Sequence, residues 1–514
     1  MTVVDDRTGA AVPNDFRMVD TDRAVFEHRG YVLDVSRDRV PTNETLDWLA
    51  SVLGRLGFTE LHVYVEHAFA YSGHEEVWEG ASALTPADTR WLDSRCEAHG
   101  LDLVANMNCF GHMERWLKHE RYRGLAECPD GAPALLGSGT MPPTCLAPTA
   151  ANAEFAVGLA RELAGTVRHR RIHVGCDEPF ELGNGASAAA VAEQGRGQVY
   201  FEHLNRIVEP LVADGREVMF WADQLRRDRS LIPRIPAGAV PVVWNYEAPS
   251  AGGWEALIPP ELVERLGLPE NPQLGFESHV RLLAEAGVPF WVAPGTSAWN
   301  TFIGRNRNAA ANIADAAAVG AAHGSPGLLL ADWGDNGHFQ PLAVSLPSMV
   351  RAAAAAAGEP ISGESEVARR VDEVLGCDAG VGSLLDRLGE VGETLGVTTL
   401  NGSAVFAAMC TTGLPSFGAP VPEAFAASAA ILAEAGERFA APVGGPRGEV
   451  VAAEMAAVCR LAELGLRRLG AEHGLDFEAP TATELDEAAR TQRAAWLLSS
   501  RPGGVADSLA KLIR

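Results

Sequence analysis

Cysteine is scarce, with eight in 514 residues. None of the eight (Cys96, Cys109, Cys128, Cys145, Cys176, Cys377, Cys410, Cys459) forms a C-x-x-C pair or falls at zinc-ligand spacing. Buried free thiols are the expected state. Positive charge is also short: 42 Lys and Arg stand against 67 Asp and Glu, for a net charge of −25. Such a surface repels nucleic acid and anionic membranes, so neither is expected as a partner, and a neutral polar substrate is the simplest expectation. No apolar run reaches about 18 uninterrupted residues, the length of a membrane span. The opening MTVVDDRTGAAVPNDF has neither a basic n-region nor an apolar h-region, so no signal peptide is read there and a cytoplasmic location is the expectation. HExxH and HxH spacings are missing, as are a strand-borne GxGxxG, a GxxxxGK[ST] loop and a GxSxG elbow. No metal, nucleotide or other cofactor is therefore expected.

What is present is a series of short apolar runs that end in polar or aromatic residues. They are 31–36 (YVLDVS), 60–67 (ELHVYVEH), 101–108 (LDLVANMN), 171–177 (RIHVGCD), 217–224 (EVMFWADQ), 240–247 (VPVVWNYE), 289–295 (PFWVAPG) and 327–334 (GLLLADWG). Between them, 45–56, 86–99, 152–163, 197–213 and 276–286 carry apolar residues at helical spacing, the second behind a Thr85-Pro86 start. Strand then helix, repeated eight times, predicts parallel strands closed into a (β/α)8 barrel, an α/β TIM barrel of about 250 residues or more. Its active site is expected at the C-terminal strand ends, which are rich here in His, Asp, Glu, Asn and Trp. Beyond about residue 350 alanine and glutamate dominate and strand signals disappear. Helices are expected at 366–375, 381–395, 422–439, 450–473 and 483–498, with a turn at GGPRG, 444–448. The expected organisation is a lead at 1–25, the barrel at 26–350, and a C-terminal all-α domain at 351–514. The last is a candidate surface for homo-oligomer formation.

The sharpest chemical feature is RIHVGCDEPFELG, 171–183, whose apolar strand delivers His173, Asp177 and Glu178 to the barrel mouth and stops at Pro179. Two adjacent carboxylates there are costly unless paired or used. H-x-G-x-D-E on the fourth strand resembles the signature of glycoside hydrolase family 20, the β-N-acetylhexosaminidases. The likeness continues in order. His28-Arg29-Gly30-Tyr31-Val32-Leu33-Asp34-Val35-Ser36-Arg37 is similar to that family's first strand, Gly111-His112 to its G-H turn, Trp221-Ala222-Asp223 to its fifth strand, and Asp332-Trp333-Gly334-Asp335-Asn336-Gly337 to its eighth. The tenor of Val65–Tyr71 and of WGDNG is nearest the hexosaminidase D-like branch. Cys176 stands where relatives have a second glycine, and Asp335 where many have glutamate.

The resemblance implies hydrolysis of terminal β-linked N-acetylglucosamine or N-acetylgalactosamine with retention. In that mechanism the substrate's own acetamido oxygen attacks the anomeric carbon and forms an oxazolinium ion. Asp177 orients the acetamido group and offsets its charge, while Glu178 is acid and then base. Arg29, His112, His173, Asp223 and Asp335 are the implied polar substrate contacts. Trp221, Trp244, Trp299 and Trp333 form an aromatic box around the sugar. Two alternatives stay open: a barrel glycosidase with separated catalytic carboxylates such as Glu178 and Asp335, and a sugar-binding barrel without catalysis.

Overall fold

In the computed structural model the described residues are 3–5, 10–12, 18–19, 24–37, 39–133, 139–249, 275–359, 363–413 and 415–513. Eight parallel strands close into a barrel: β1 (His28–Asp34), β2 (Glu60–Val65), β3 (Asp102–Met107), β4 (Arg171–His173), β5 (Glu217–Trp221), β6 (Ala239–Trp244), β7 (Trp291–Ala293) and β8 (Gly327–Asp332). Closure is made by β8 on β1, from Gly327 opposite His28 to Asp332 opposite Leu33. Each strand lies within one of the eight apolar runs or overlaps it. The runs are continuous rather than alternating because parallel barrel strands are covered on both faces; all six residues of β2 are buried.

The crossover helices start where capping chemistry allows. Thr42 accepts from Thr45 N–H at the head of α1 (Asn43–Arg55), and Thr85 and Asp88 form a reciprocal capping box on α2 (Pro86–Ala98). Thr149 caps α3 (Ala150–Ala164). Helices α4 (Arg196–Ala213), α5 (Glu277–Glu285), α6 (Asn306–Ala322) and α7 (Leu342–Ala357) continue the ring.

Two apolar clusters divide the core. One lies between strands and helices. The other fills the barrel with Val32, Tyr64, Met219, Trp221, Val242, Trp291, Trp299, Leu329 and Trp333. Gly327 is required here: a Cβ would stand 2.1 Å from the Trp291 ring. The floor is ionic, with His28 at 3.1 Å and His62 at 3.0 Å from Glu60, and Arg171 bridging Glu60 and Glu217.

The C-terminal part is mainly helical: α8 (Glu364–Leu375), α9 (Val381–Leu388), α10 (Pro422–Arg438), α11 (Gly448–Glu472), α12 (Ala482–Ser499) and α13 (Val505–Ala510). Three details differ from expectation. Helix α9 ends at Leu388 rather than 395; Gly389 beyond it gives its carbonyl to Asn306 N–H at 2.9 Å and packs so closely on Asn306 that a Cβ would lie 2.3 Å away. A hairpin of Val397–Thr399 with Ser416–Gly418 appears where no strand was expected, since three-residue strands carry too few positions for a pattern. The expected boundary at 350 falls inside α7. The C-terminal helices share the outer core cluster with the barrel, and buried Arg39 ties them to β1, reaching Glu454 at 2.5 Å and Ser500 at 2.8 Å. Of the expected lead, only parts are described, including Val3–Asp5 paired with Ala10–Val12. Among the described residues no helix is long and apolar enough to cross a membrane.

Candidate active site

The regular part of β4 ends at His173, and the chain then bends sharply. Gly175 and Cys176 both have φ of 64° and Glu178 has φ of 47°. Left-handed backbone costs a non-glycine residue about 1–2 kcal/mol, and neighbouring groups hold the bend. Asn108, just past β3, accepts Cys176 N–H on its side-chain oxygen at 3.1 Å, while Tyr200 O–H donates to the Cys176 carbonyl at 2.9 Å. A Cβ on Gly175 would be 2.7 Å from Asn108 Cγ, and one on Gly111 would be 2.5 Å from the Asp177 carbonyl oxygen. These two glycines let the β3 and β4 loops touch. Strain recurs along the same rim, at His112, Ser297, Asn300, Asn336 and His338.

The contact brings His112 against both acids. Its Nε2 lies 3.2 Å from Asp177 Oδ2 and 3.6 Å from Glu178 Oε2. The other Asp177 oxygen accepts from Asn108 Nδ2. Burial raises the Asp177 carboxyl, but the His112 charge and these hydrogen bonds outweigh it and hold the group below its ordinary value, so Asp177 is ionised at neutral pH. Burial alone would lower His112; Asp177 and Glu178 instead carry it well above its ordinary range. The Glu178 side chain is 34% exposed and opens on a cleft of about 290 Å³, at the small end of ligand sites.

Arg37, three residues beyond β1, is the hub on the other side. It lies 2.8 Å from Asp34, 3.5 Å from Glu66 and 3.4 Å from Asp335, and its Nη2 is 3.2 Å from His112 Nδ1. Its guanidinium also faces the rings of Tyr64 and Trp333, each at 5.4 Å. Glu66 accepts from Tyr64 O–H at 2.9 Å. Burial raises both Glu66 and Asp335, and Arg37 works against it.

The structure therefore brings together Asp177, Glu178, His112, Asp335 and Trp333 as expected, along with Glu66 and Asn108. Arg29 is not among them. It is the second residue of β1, at the opposite end of the barrel, where Nε and Nη1 donate to the carbonyls of Gly57 and Phe26. Arg37 occupies the place expected of Arg29.

His173 is fully buried: its Nδ1 accepts from Gly175 N–H at 3.0 Å, its ring packs 4.2 Å from Trp221, and burial lowers it to about 3. It braces the β4 bend rather than facing a substrate. Asp223 is likewise beneath the loop. Its Oδ2 accepts from Glu178 N–H at 3.3 Å and from the Gln224 side chain at 2.6 Å.

The four tryptophans share one apolar cluster, in two ring groups. Trp221 lies 5.8 Å from Trp333, Trp244 stacks on Tyr246 at 5.1 Å, and Tyr246 meets Trp299 edge-on at 5.0 Å. However, Trp221 and Trp299 are 1% exposed, packed against neighbours rather than offering open faces. Residues not anticipated are Tyr246, in the same run as Trp244, and Asn401, which accepts from Trp299 Nε1 at 3.0 Å. One ligand atom each from His112, Asp177 and Glu178 lie within 4.8 Å of one another, so the same three could hold a cation.

The barrel fold is shared with a solved structure. A chitobiase of Flavobacterium johnsoniae superposes with a TM-score of 0.51 over 95% of this chain and 78% of its own, at 13% identity, a likeness of fold. In sequence the chain resembles hexosaminidase D: it is 27% identical to the human protein over 203 residues, 38% of this chain and 40% of the relative. Bovine hexosaminidase D is 25% identical over 206 residues, 38% of this chain and 56% of the relative. The chain thus matches less than two thirds of the length of these curated relatives. No family model matches it.

Proposed function

We propose that the protein is a retaining exo-β-N-acetylhexosaminidase that works by substrate assistance. The observation that carries this reading is the placement of two sequence-adjacent carboxylates on one strained loop, both within 3.6 Å of a single histidine nitrogen. Acids so placed do not flank a glycosidic bond from opposite faces, as a retaining pair about 5 Å apart must. They suit a reaction in which the substrate brings its own nucleophile. Asp177, ionised and fixed by Asn108 and His112, accepts the acetamido N–H, turns the carbonyl oxygen toward the anomeric carbon, and offsets the charge of the oxazolinium ion. Glu178, open to the cleft, gives its proton to the leaving oxygen and later takes one from water. Arg37 and Asp335 are placed to bond sugar hydroxyls, with Trp333 beside them. The small cleft suits a terminal sugar. The similarity to hexosaminidase D, over part of its length, supports the same reading.

Hydrolysis of p-nitrophenyl N-acetyl-β-glucosaminide and -galactosaminide tests it. Turnover is expected, with the β-anomer released first by NMR, and Asp177→Asn should slow it by about 10²–10⁴-fold. A thiazoline mimic of the oxazolinium should compete with substrate. Absence of turnover would remove the assignment, and a covalent sugar adduct on any side chain would replace substrate assistance with a separated pair of carboxylates.

A further inference from the structure

The chain has forty arginines but only two lysines, Lys118 and Lys511. Lys511 lines the catalytic cleft, on a wall shared with Glu114, Arg115, Thr144 and Phe180. Its backbone is secured on both sides. Helix α13, which precedes it, is tied to the β8 loop by Ser508 O–H donating to the Gly337 carbonyl, and Thr411 N–H donates to the Lys511 carbonyl at 2.9 Å. Cys410 and Leu512 form an antiparallel bridge next to it. The fold thus sets Lys511 at this rim.

The other cations of the cleft already have carboxylate partners: Arg37 has Asp34, Glu66 and Asp335, His112 has Asp177, and Arg115 has Asp507 at 2.8 Å. Among the described residues no carboxylate lies within 4.0 Å of the Lys511 ammonium. Glu114 shares the wall but is exposed, where water screens it. The net charge of −25 does not decide the local sign, because charges more than about 8 Å away are largely screened at physiological salt.

We propose that this wall is a leaving-group subsite for an anionic sugar, so that the preferred bond joins a β-N-acetylhexosamine to a sugar bearing a carboxylate or a sulfate. The inference rests on the hexosaminidase reading above. Glu178, as the acid, faces the departing sugar, and Thr144, Phe180, Arg115 and Lys511 line the same cleft. A compact ammonium matches either anion as a point charge.

The test uses three disaccharides with the same non-reducing β-N-acetylhexosamine, linked to glucose, glucuronic acid or glucose 6-sulfate. For the intact enzyme at low salt, kcat/KM on an anionic disaccharide should exceed that on the neutral one about fivefold. The preference should fade in about 0.5 M NaCl, and Lys511→Gln should bring the ratio near one. The two anionic arms decide between carboxylate and sulfate. The p-nitrophenyl sugars follow the reaction itself: if they are not turned over, the hexosaminidase reading fails and the subsite with it. If they are turned over while the ratio is one or less, is indifferent to salt, or survives Lys511→Gln, the subsite alone is overturned.

Discussion

Replacing Asp223 by asparagine should leave stability nearly unchanged in acid and raise it in alkali. Asp223 Oδ2 accepts from Glu178 N–H and from Gln224, while its Oδ1 is buried without a hydrogen-bond partner among the described residues. Burial, then the charges of Asp177 and Glu178, push the carboxyl from its ordinary 3.8 up to about 7. A carboxyl raised in this way holds its proton more tightly folded than unfolded. The stability it contributes is complete below about pH 4 and is lost as the pH climbs through about 7.

The interval from 3.8 to about 7 is worth about 4 kcal/mol at roughly 1.4 kcal/mol per unit. That is an upper bound, since Asp177 and Asp223 titrate together. Asparagine with its oxygen in the Oδ2 position keeps the acceptor for both Glu178 N–H and the Gln224 amide, and its NH2 group takes the place of the unpartnered Oδ1. The wild type should therefore lose up to about 3 kcal/mol relative to Asp223→Asn between pH 5 and pH 8, at up to about 1.4 kcal/mol per pH unit. Urea unfolding of both proteins across that range measures it. Parallel pH profiles, or a wild type that gains on the variant as the pH rises, would refute the reasoning.

Arg37→Met removes the shared partner of Asp34, Glu66 and Asp335 and should cost about 3–5 kcal/mol in urea unfolding; Arg37→Lys should fold but lose most of its kcat/KM, because a point charge does not replace the guanidinium fork. Arg29→Met should cost about 1–2 kcal/mol through lost bonds to the Gly57 and Phe26 carbonyls, with KM unchanged; a raised KM would return Arg29 to the substrate. Dialysis against EDTA should leave turnover within about twofold, since Glu178 serves here as acid and base, Asp177 as the group that orients the acetamide, and His112 as the partner that holds Asp177; loss that a divalent cation restores would make the three metal ligands.

How much of this was legible in the sequence differs from element to element. The eight strands were, because strands covered on both faces are apolar along their whole length. The position of the two acids was, because adjacent ionisable groups at the end of such a strand have few bland explanations. The choice between Arg29 and Arg37 turned on direction. Eight residues of strand span about 26 Å, so the two arginines belong to opposite ends of the barrel, and only the later one can reach a site at the C-terminal ends. Exposure of the tryptophans was not legible, since it depends on Tyr246 and on Asn401, a residue 102 positions from Trp299.

The bend after β4 joins the two kinds of information. A cysteine where the resemblance leads one to expect glycine is visible in the sequence as a departure, and its φ of 64° explains why glycine would be preferred there. What offsets the strain is not local. Asn108, just past β3, accepts the Cys176 N–H, and Tyr200 of α4 donates to its carbonyl, each from another element of the barrel. The same Asn108 holds Asp177. One side chain thus stabilises the strained turn and orients a reacting group, so the cost of the bend and the placement of the acids have a single cause.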